Sequence, residues 1–450
     1  MRGSTPASVR RASDGRPRRL WTAGLAVTLA AASLTVAGAA APSWASTPRA
    51  TVPGTARAGE APAAPGEARL LPTASGHTRI SVPRPRARAG AAAPGTSAPS
   101  PGNLSGAAAV SSQDVWAVGA YQSGGTYLPV AEHWDGSSWT QVPVPAPANT
   151  SKSYLNAVAA VSADDVWAVG AEVSSSSGGQ LTLIEHWDGS SWSVVPSPSL
   201  GSDLNMLDSV TAVSAGNVWA VGNGYVNGII VTEIQHWNGA GWLLVSSPNV
   251  AGVNANQLNQ ITVVSARNIW AVGYWAELNI QYSTLAEHWN GATWSIVKTP
   301  KIAVDNYDLQ GVSAVSARDV LAVGSTWNNT TQRFQALAER WDGTRWRRVA
   351  VASPPLPTFL FVPTALSASD AWCDGWFETP SGGEMPMTEH WNGTSWQPVS
   401  APAPTSTYSN LIGIAAISAD DVWAVGSYQD SGPWYPLYDH WNGQNWTMAS

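Results

Sequence analysis

Val166-Trp167-Ala168-Val169-Gly170, followed by Glu185-His186-Trp187-Asp188-Gly189-Ser190-Ser191-Trp192, is one copy of a pair of stretches that recurs seven times in this 450-residue chain. The first stretch has its aromatic at Trp116, Trp167, Trp219, Trp270, Trp372 and Trp423, with Leu321 in the fifth copy, so the copies step by 51 or 52 residues. The second reads Glu132-His133-Trp134, Glu185-His186-Trp187, Gln235-His236-Trp237, Glu287-His288-Trp289, Glu339-Arg340-Trp341, Glu389-His390-Trp391 and Asp439-His440-Trp441. Each is followed by Asp-Gly or Asn-Gly and, three residues after the Gly, by another Trp. A residue type present in every unit of a repeat is there to build the unit, so function is sought where the units differ.

Working outward from Trp167, each unit divides into four short β-rich runs. In the second unit they are 155–161, 166–170, 181–187 and 192–195. A Ser-Ala-Asp-Asp turn joins the first pair, and Asp188-Gly189 reads as a two-residue type I′ hairpin between the last pair. Pro196-Ser197-Pro198 ends the fourth run, since proline cannot donate to an inner ladder. Four antiparallel strands in about 50 residues is the pattern of a propeller blade. The expectation is all-β: a seven-bladed β-propeller, four antiparallel strands per blade, over 103–450, with blades starting near 103, 154, 206, 257, 308, 359 and 410. Twenty Trp in the repeated slots fill the spaces between blades.

Two segments precede the repeats. Residues 1–45 read as a signal peptide: an Arg-rich start, an uncharged Ala/Leu/Val run from Leu20 to Ala41, and a small-x-small site at Ser43-Trp44-Ala45. The same run is long enough to serve as an uncleaved anchor, which the cleavage site disfavours. Residues 46–102, rich in Ala, Pro, Gly, Ser and Arg without hydrophobic period, read as a disordered linker. Within it Thr78–Val82 is a candidate strand to close the ring. The implied location is secreted, and the protein is expected to act as a monomer with no membrane association after cleavage.

Within 103–450, 10 Lys and Arg face 27 Asp and Glu, a balance that excludes nucleic acid as a partner. One cysteine, Cys373, rules out an intramolecular disulfide. It stands where the other units have Ala and is expected to be a small buried residue.

The Val-Trp-Ala-Val-Gly stretch followed by Trp-(Asp/Asn)-Gly-x-x-Trp resembles kelch repeats, and its last turn resembles the Asp-box of sialidase-type propellers. Kelch has a double Gly where this chain has one, and the Asp-box Ser is replaced by His or Arg. The resemblance implies a propeller that serves enzymes, lectins and scaffolds alike.

The repeated His suggest a metal, but equivalent strands of packed sheets are about 10 Å apart, and Arg340 in the same slot is a donor that cannot ligate. The slot is expected to hold a buried structural hydrogen bond, with no metal and no cofactor. The Asp/Asn before each Val-Trp exchange freely, which favours an Asx turn over calcium. A kelch-type copper oxidase needs His outside the repeated slot, and a sialidase needs Arg converging from several blades. Neither condition is met.

The variable loops emerge on one face and carry aromatics amid Asn, Gln, Gly and Ser. Four Trp outside the repeated slots, Trp275, Trp327, Trp376 and Trp434, together with Tyr435, are the candidate stacking residues. Eleven residues before the Val-Trp slot stand Asn156, Asp208, Asn259 and Gln310, with Ser105, expected to open onto the central channel. Asp374 replaces a core Val and is either a functional carboxylate or a partner for a backbone amide. The leading expectation is non-catalytic recognition of a glycan or a surface protein. The alternative is a glycoside hydrolase or polysaccharide lyase using carboxylates on the same face.

Overall fold

The computed structural model describes residues 102–277, 281–302, 304, 306–328, 330, 333–352 and 356–449. They belong to one compact unit, Ala98–Ser450. Residues 1–101, with the leader, the linker and the Thr78–Val82 segment, lie outside the described residues. The described chain has no helix, and its strands form antiparallel sets of four arranged as a β-propeller.

Blade two is representative: Thr150–Ser162, Asp165–Ser174, Gln180–Trp187 and Trp192–Val194, each paired antiparallel to the next. Counting such sets gives seven among the described residues, their first strands beginning at Asn103, Thr150, Met206, Ala255, Asn306, Thr358 and Tyr408. A short extra strand, Ala350–Val351, adds parallel to the outer strand Ser395–Val399 of the sixth set. Each first strand packs against the first strands on either side, and that of the first set meets that of the seventh, so the ring closes by packing. At this seam a Cβ on Gly413 would sit 2.8 Å from the Gly106 Cα, an approach only glycine permits. Gly102 N donates to Trp434 O at 2.8 Å, and the Tyr438 hydroxyl bonds the Glu132 carboxyl across the same seam.

Between blades, the second-strand Trp of one blade meets two Trp of the next. Trp116 lies 5.0 Å from Trp187 and 5.3 Å, edge-on, from Trp192. The same trio recurs as Trp270 with Trp341 and Trp346 and as Trp423 with Trp134 and Trp139. Burying such rings dominates the energetics of each interface. Blade five solves the problem differently. Leu321 replaces the Trp, and the Arg340 guanidinium lies 5.6 Å over Trp391 of blade six while its Nε and Nη2 donate to Asp319 at 2.6 and 2.7 Å.

Two turn expectations are corrected. The Asp-Gly hairpin is not a two-residue turn: Trp187 pairs with Trp192, leaving the four-residue loop Asp188–Ser191. Only Gly189 takes a positive φ, +88°, while Asp188 Oδ1 accepts the Ser190 and Ser191 amides, both at 2.9 Å. The Asx turn therefore belongs here, and the Asp or Asn opening the second strand faces the His instead. The first turn is capped by the repeated Ser: Gln113 N donates to Ser111 Oγ at 3.2 Å and Arg318 N to Ser316 Oγ at 3.3 Å.

The acid of each Glu-His-Trp triplet turns inward, against the neighbouring blade. Glu185, Glu287, Glu339 and Asp439 are fully buried, and burial pushes each up to about 8. Glu172 adds to the rise at Glu185, whereas Arg348 opposes it at Glu339. Burial favours the neutral form of these side chains, so the formal charge of the propeller overstates its acidity.

Candidate functional site

In every first strand the pairing register shifts just after the repeated Leu, for example between Leu155 and Ala157 and between Leu258 and Gln260. The shift is a β-bulge, which re-aims the extra residue. The bulge residues are Ser105, Asn156, Asp208, Asn259, Gln310, Phe361 and Ile412. They stand near the end of the ring from which the variable loops leave. One residue before each Leu stands a second ring: Asn103, Tyr154, Met206, Gln257, Asp308, Phe359 and Asn410.

These rings do not leave all their polar groups free. Asn156 Nδ2 donates to Leu207 O at 2.9 Å and Asn259 Nδ2 to Leu309 O at 2.8 Å, so both amides clamp one blade to the next. Gln310 Nε2 donates to Asp308 Oδ2 at 2.7 Å, and Asp308 Oδ1 accepts the Ser325 amide and hydroxyl at 3.1 and 2.8 Å. Asp308 is thus saturated by three donors. Asp208 differs. It takes the place of a clamping Asn, has no N–H to give, and its nearest donor is Gln257 Nε2 at 3.5 Å. That amide is better engaged with Asn259 Oδ1 at 3.0 Å, while Gln257 Oε1 accepts the Tyr274 hydroxyl at 2.9 Å.

Asp208 keeps partial exposure, and burial raises it well above the usual carboxylate range. Burial also raises Tyr154 and Tyr274; Asp208 adds to both, and Tyr282 and Asp308 add further at Tyr274. Both tyrosines therefore stay protonated and act as donors.

Blades five and six present the opposite character. Trp327, Phe334, Phe359 and Trp376 form a row with successive ring centroids 4.4, 4.3 and 4.1 Å apart, the last pair stacked at 24°. All four rings are half-buried. Trp434 and Tyr435 are also half-buried on this face, with Tyr435 5.7 Å from Tyr428. Trp275, also half-buried, packs against the apolar core between blades three and four.

Asp374 is fully buried, and its Oδ1 accepts the Val362 amide at 2.8 Å. In blade six the register jumps from Leu360 to Pro363, which frees that amide from the ladder. Burial pushes Asp374 to about 8, and no surface connects it to a ligand at the mouth. Glu233 escaped sequence reasoning altogether. It stands where other blades have Leu183, Leu285, Leu337 and Leu437, fully buried, and Gln235 Nε2 donates to it at 2.7 Å. Burial raises it to about 7. The signal was a lone acid in an apolar column.

On the short-turn face, Nε2 of His186 lies 2.8 Å from Asp165 Oδ1 and that of His288 2.9 Å from Asn268 Oδ1. The amide oxygen only accepts, so the ring nitrogen donates. The bond is half-exposed rather than buried as expected. Among the described residues no group of three or more His, Cys, Asp or Glu is placed to hold a metal ion.

No family model and no curated protein sequence matches the chain. Solved structures do. An ulvan lyase of a polysaccharide lyase family is 10% identical at a TM-score of 0.50, covering 78% of this chain and 96% of that one. YCF48 from Cyanidioschyzon merolae is 13% identical at 0.46, covering 77% and 97%. The fucose-specific lectin from Aleuria aurantia is 12% identical at 0.42, covering 65% and 94%. At such identities the likeness concerns the β-propeller fold alone.

Proposed function

We propose that the chain is a non-catalytic recognition propeller, released outside the cell as a monomer, that binds a glycan at the loop face. The observation that carries this reading is the unequal state of the mouth carboxyls. Hydrolysis of a glycosidic bond needs two available carboxyl groups, and of the two acids in the mouth rings, Asp208 and Asp308, the second is saturated by three donors. Elimination needs a base, and the tyrosines beside Asp208 are held protonated. What remains is a fixed set of donors and acceptors around Asp208, on the face that also carries the Trp327–Trp376 row. Hydrogen-bonding groups paired with flat apolar rings suit the edges and faces of sugars. A protein partner is the second reading, and half-exposed aromatics support it equally.

The test probes the full chain against immobilised oligosaccharides and compares Asp208→Asn. The expected outcome is binding that weakens at least tenfold in the variant while Tm does not fall. Release of new reducing ends or unsaturated sugar ends from a bound polymer would establish catalysis instead.

A further inference from the structure

Of the ten Lys and Arg in 103–450, nine fall between residues 267 and 348, where they meet seven Asp and Glu; the rest of the propeller holds one cation against twenty acids. The imbalance is sharpest at the short-turn end of blade five, away from the mouth. There the loop Asp342-Gly343-Thr344-Arg345 leads into the outer strand Trp346–Arg348, and the Arg318 side chain lies over Gly343. Arg318, Arg345, Arg347 and Arg348 are all exposed.

The acids of this sector do not neutralise them. Asp342 is engaged by Arg347 Nε and by its own loop amides, and Asp319 by Arg340. Glu339, the one acid facing Arg348, is buried and neutral near pH 7. Arg318, Arg345 and Arg348 are left without an ion-pair partner among the described residues. Protection of an outer edge strand against aggregation does not account for them. The same edge carries Ser193 and Val194, Leu243 and Leu244, Ser295 and Ile296, and Thr447 and Met448 in other blades, without a charge.

We propose that the outer edge and short-turn end of blade five form a second binding surface, for an anionic polysaccharide carrying carboxylate or sulfate groups. Guanidinium forks match the geometry of both groups. Charge density selects this polymer over nucleic acid. Duplex DNA carries a charge about every 1.7 Å, and beyond one blade's edge it would face the acidic remainder of the ring. A sparsely charged sugar chain engages three or four arginines without that penalty. This surface is independent of the loop-face reading.

The experiment titrates the full chain with polygalacturonate and, as a neutral control, dextran. Wild type is expected to bind polygalacturonate only, with affinity falling steeply as salt is raised. Arg318→Gln/Arg345→Gln/Arg348→Gln should weaken binding more than tenfold at unchanged Tm, whereas Lys152→Gln and Asp208→Asn leave it intact. The proposal is overturned if the triple variant binds within twofold of wild type, or if Asp208→Asn abolishes binding, which moves the site to the mouth. Tighter binding to single-stranded DNA or to anionic phospholipid vesicles overturns it too. So does a concentration-dependent dimer that the triple variant removes, which assigns the patch to a second copy of the chain.

Discussion

The blade interfaces and the loop-face mouth are built from the same residue types, turned to opposite ends. In the interfaces Trp116, Trp270 and Trp372 are at most 2% exposed and locked among other tryptophans, while at the mouth Trp327 and Trp376 keep an accessible side. In the interfaces the carboxyls of Glu185 and Glu339 are shut in and neutral. Asp208 at the mouth is raised as well, but it retains access to solvent and lacks a good donor. The same contrast holds for amides: Asn156 and Asn259 are spent on carbonyls of the next blade, and the Asp208 slot between them is not. Repetition marks groups committed to holding the ring, and departure from it at the mouth marks groups still open.

The largest expected effect tests that contrast on tryptophan. Trp270→Ala should cost about 3 to 5 kcal/mol in chemical denaturation, the penalty for truncating a fully buried large side chain. Trp376→Ala, stacked on Phe359 but half-exposed, should cost less than half as much. Equal losses would erase the distinction between interface and mouth.

The buried acids come next. Glu185, Glu287 and Glu339 ionise near 4.5 when unfolded and near 8 in the fold, and Asp439 near 3.8 and 8. The folded state holds these protons more tightly, so their contribution to stability is complete below about pH 4 and is lost as pH rises toward 8. Exposed turn acids such as Asp188, lowered to about 2 by its Ser190 and Ser191 bonds, act oppositely and only at the acid end. Tm should therefore rise as pH falls from 8 to 5. Glu185→Gln, which copies the native Gln235, should raise Tm by several degrees at pH 8 and leave it nearly unchanged at pH 4. A Tm that is flat over this range in wild type would show that the acids are hydrated and ionised.

The smallest effect concerns the repeated histidines. His186→Ala removes a half-exposed hydrogen bond to Asp165 and a ring 4.2 Å from Trp167, and should cost about 1 kcal/mol. A loss as large as that of Trp270→Ala would place it with the locked interior.

The propeller was legible because its signals are periodic: a Trp every 51 or 52 residues and a Gly in every last turn speak seven times. The mouth speaks once. That Asp208 lacks a good donor, while Asn156 and Asn259 in the same column are clamps, depends on a one-residue bulge and on which neighbour supplies a hydrogen. Neither leaves a hydrophobic pattern. Trp275 shows a related limit, since a ring outside the repeated slots can still pack against the core while it stays half-buried. Asp374 and Glu233 are equally odd in their columns, yet both proved sealed by local partners, Val362 N and Gln235 Nε2.

Because each set contains its own four consecutive strands, the junction between the first and the last set is of the same kind as those sealed by tryptophan elsewhere, a contact of Trp423 with Trp134 and Trp139. Backbone pairing crosses a boundary only briefly among the described residues, as where Ile230 pairs with Ala255, Glu384 with Tyr408 and Ala350–Val351 with the next blade's outer strand. Each unit is a continuous stretch of sequence that folds into one wedge. The single-blade novelties, Leu321 with Arg340 and the arginine edge of blade five, are the places where one unit departs from the shared plan.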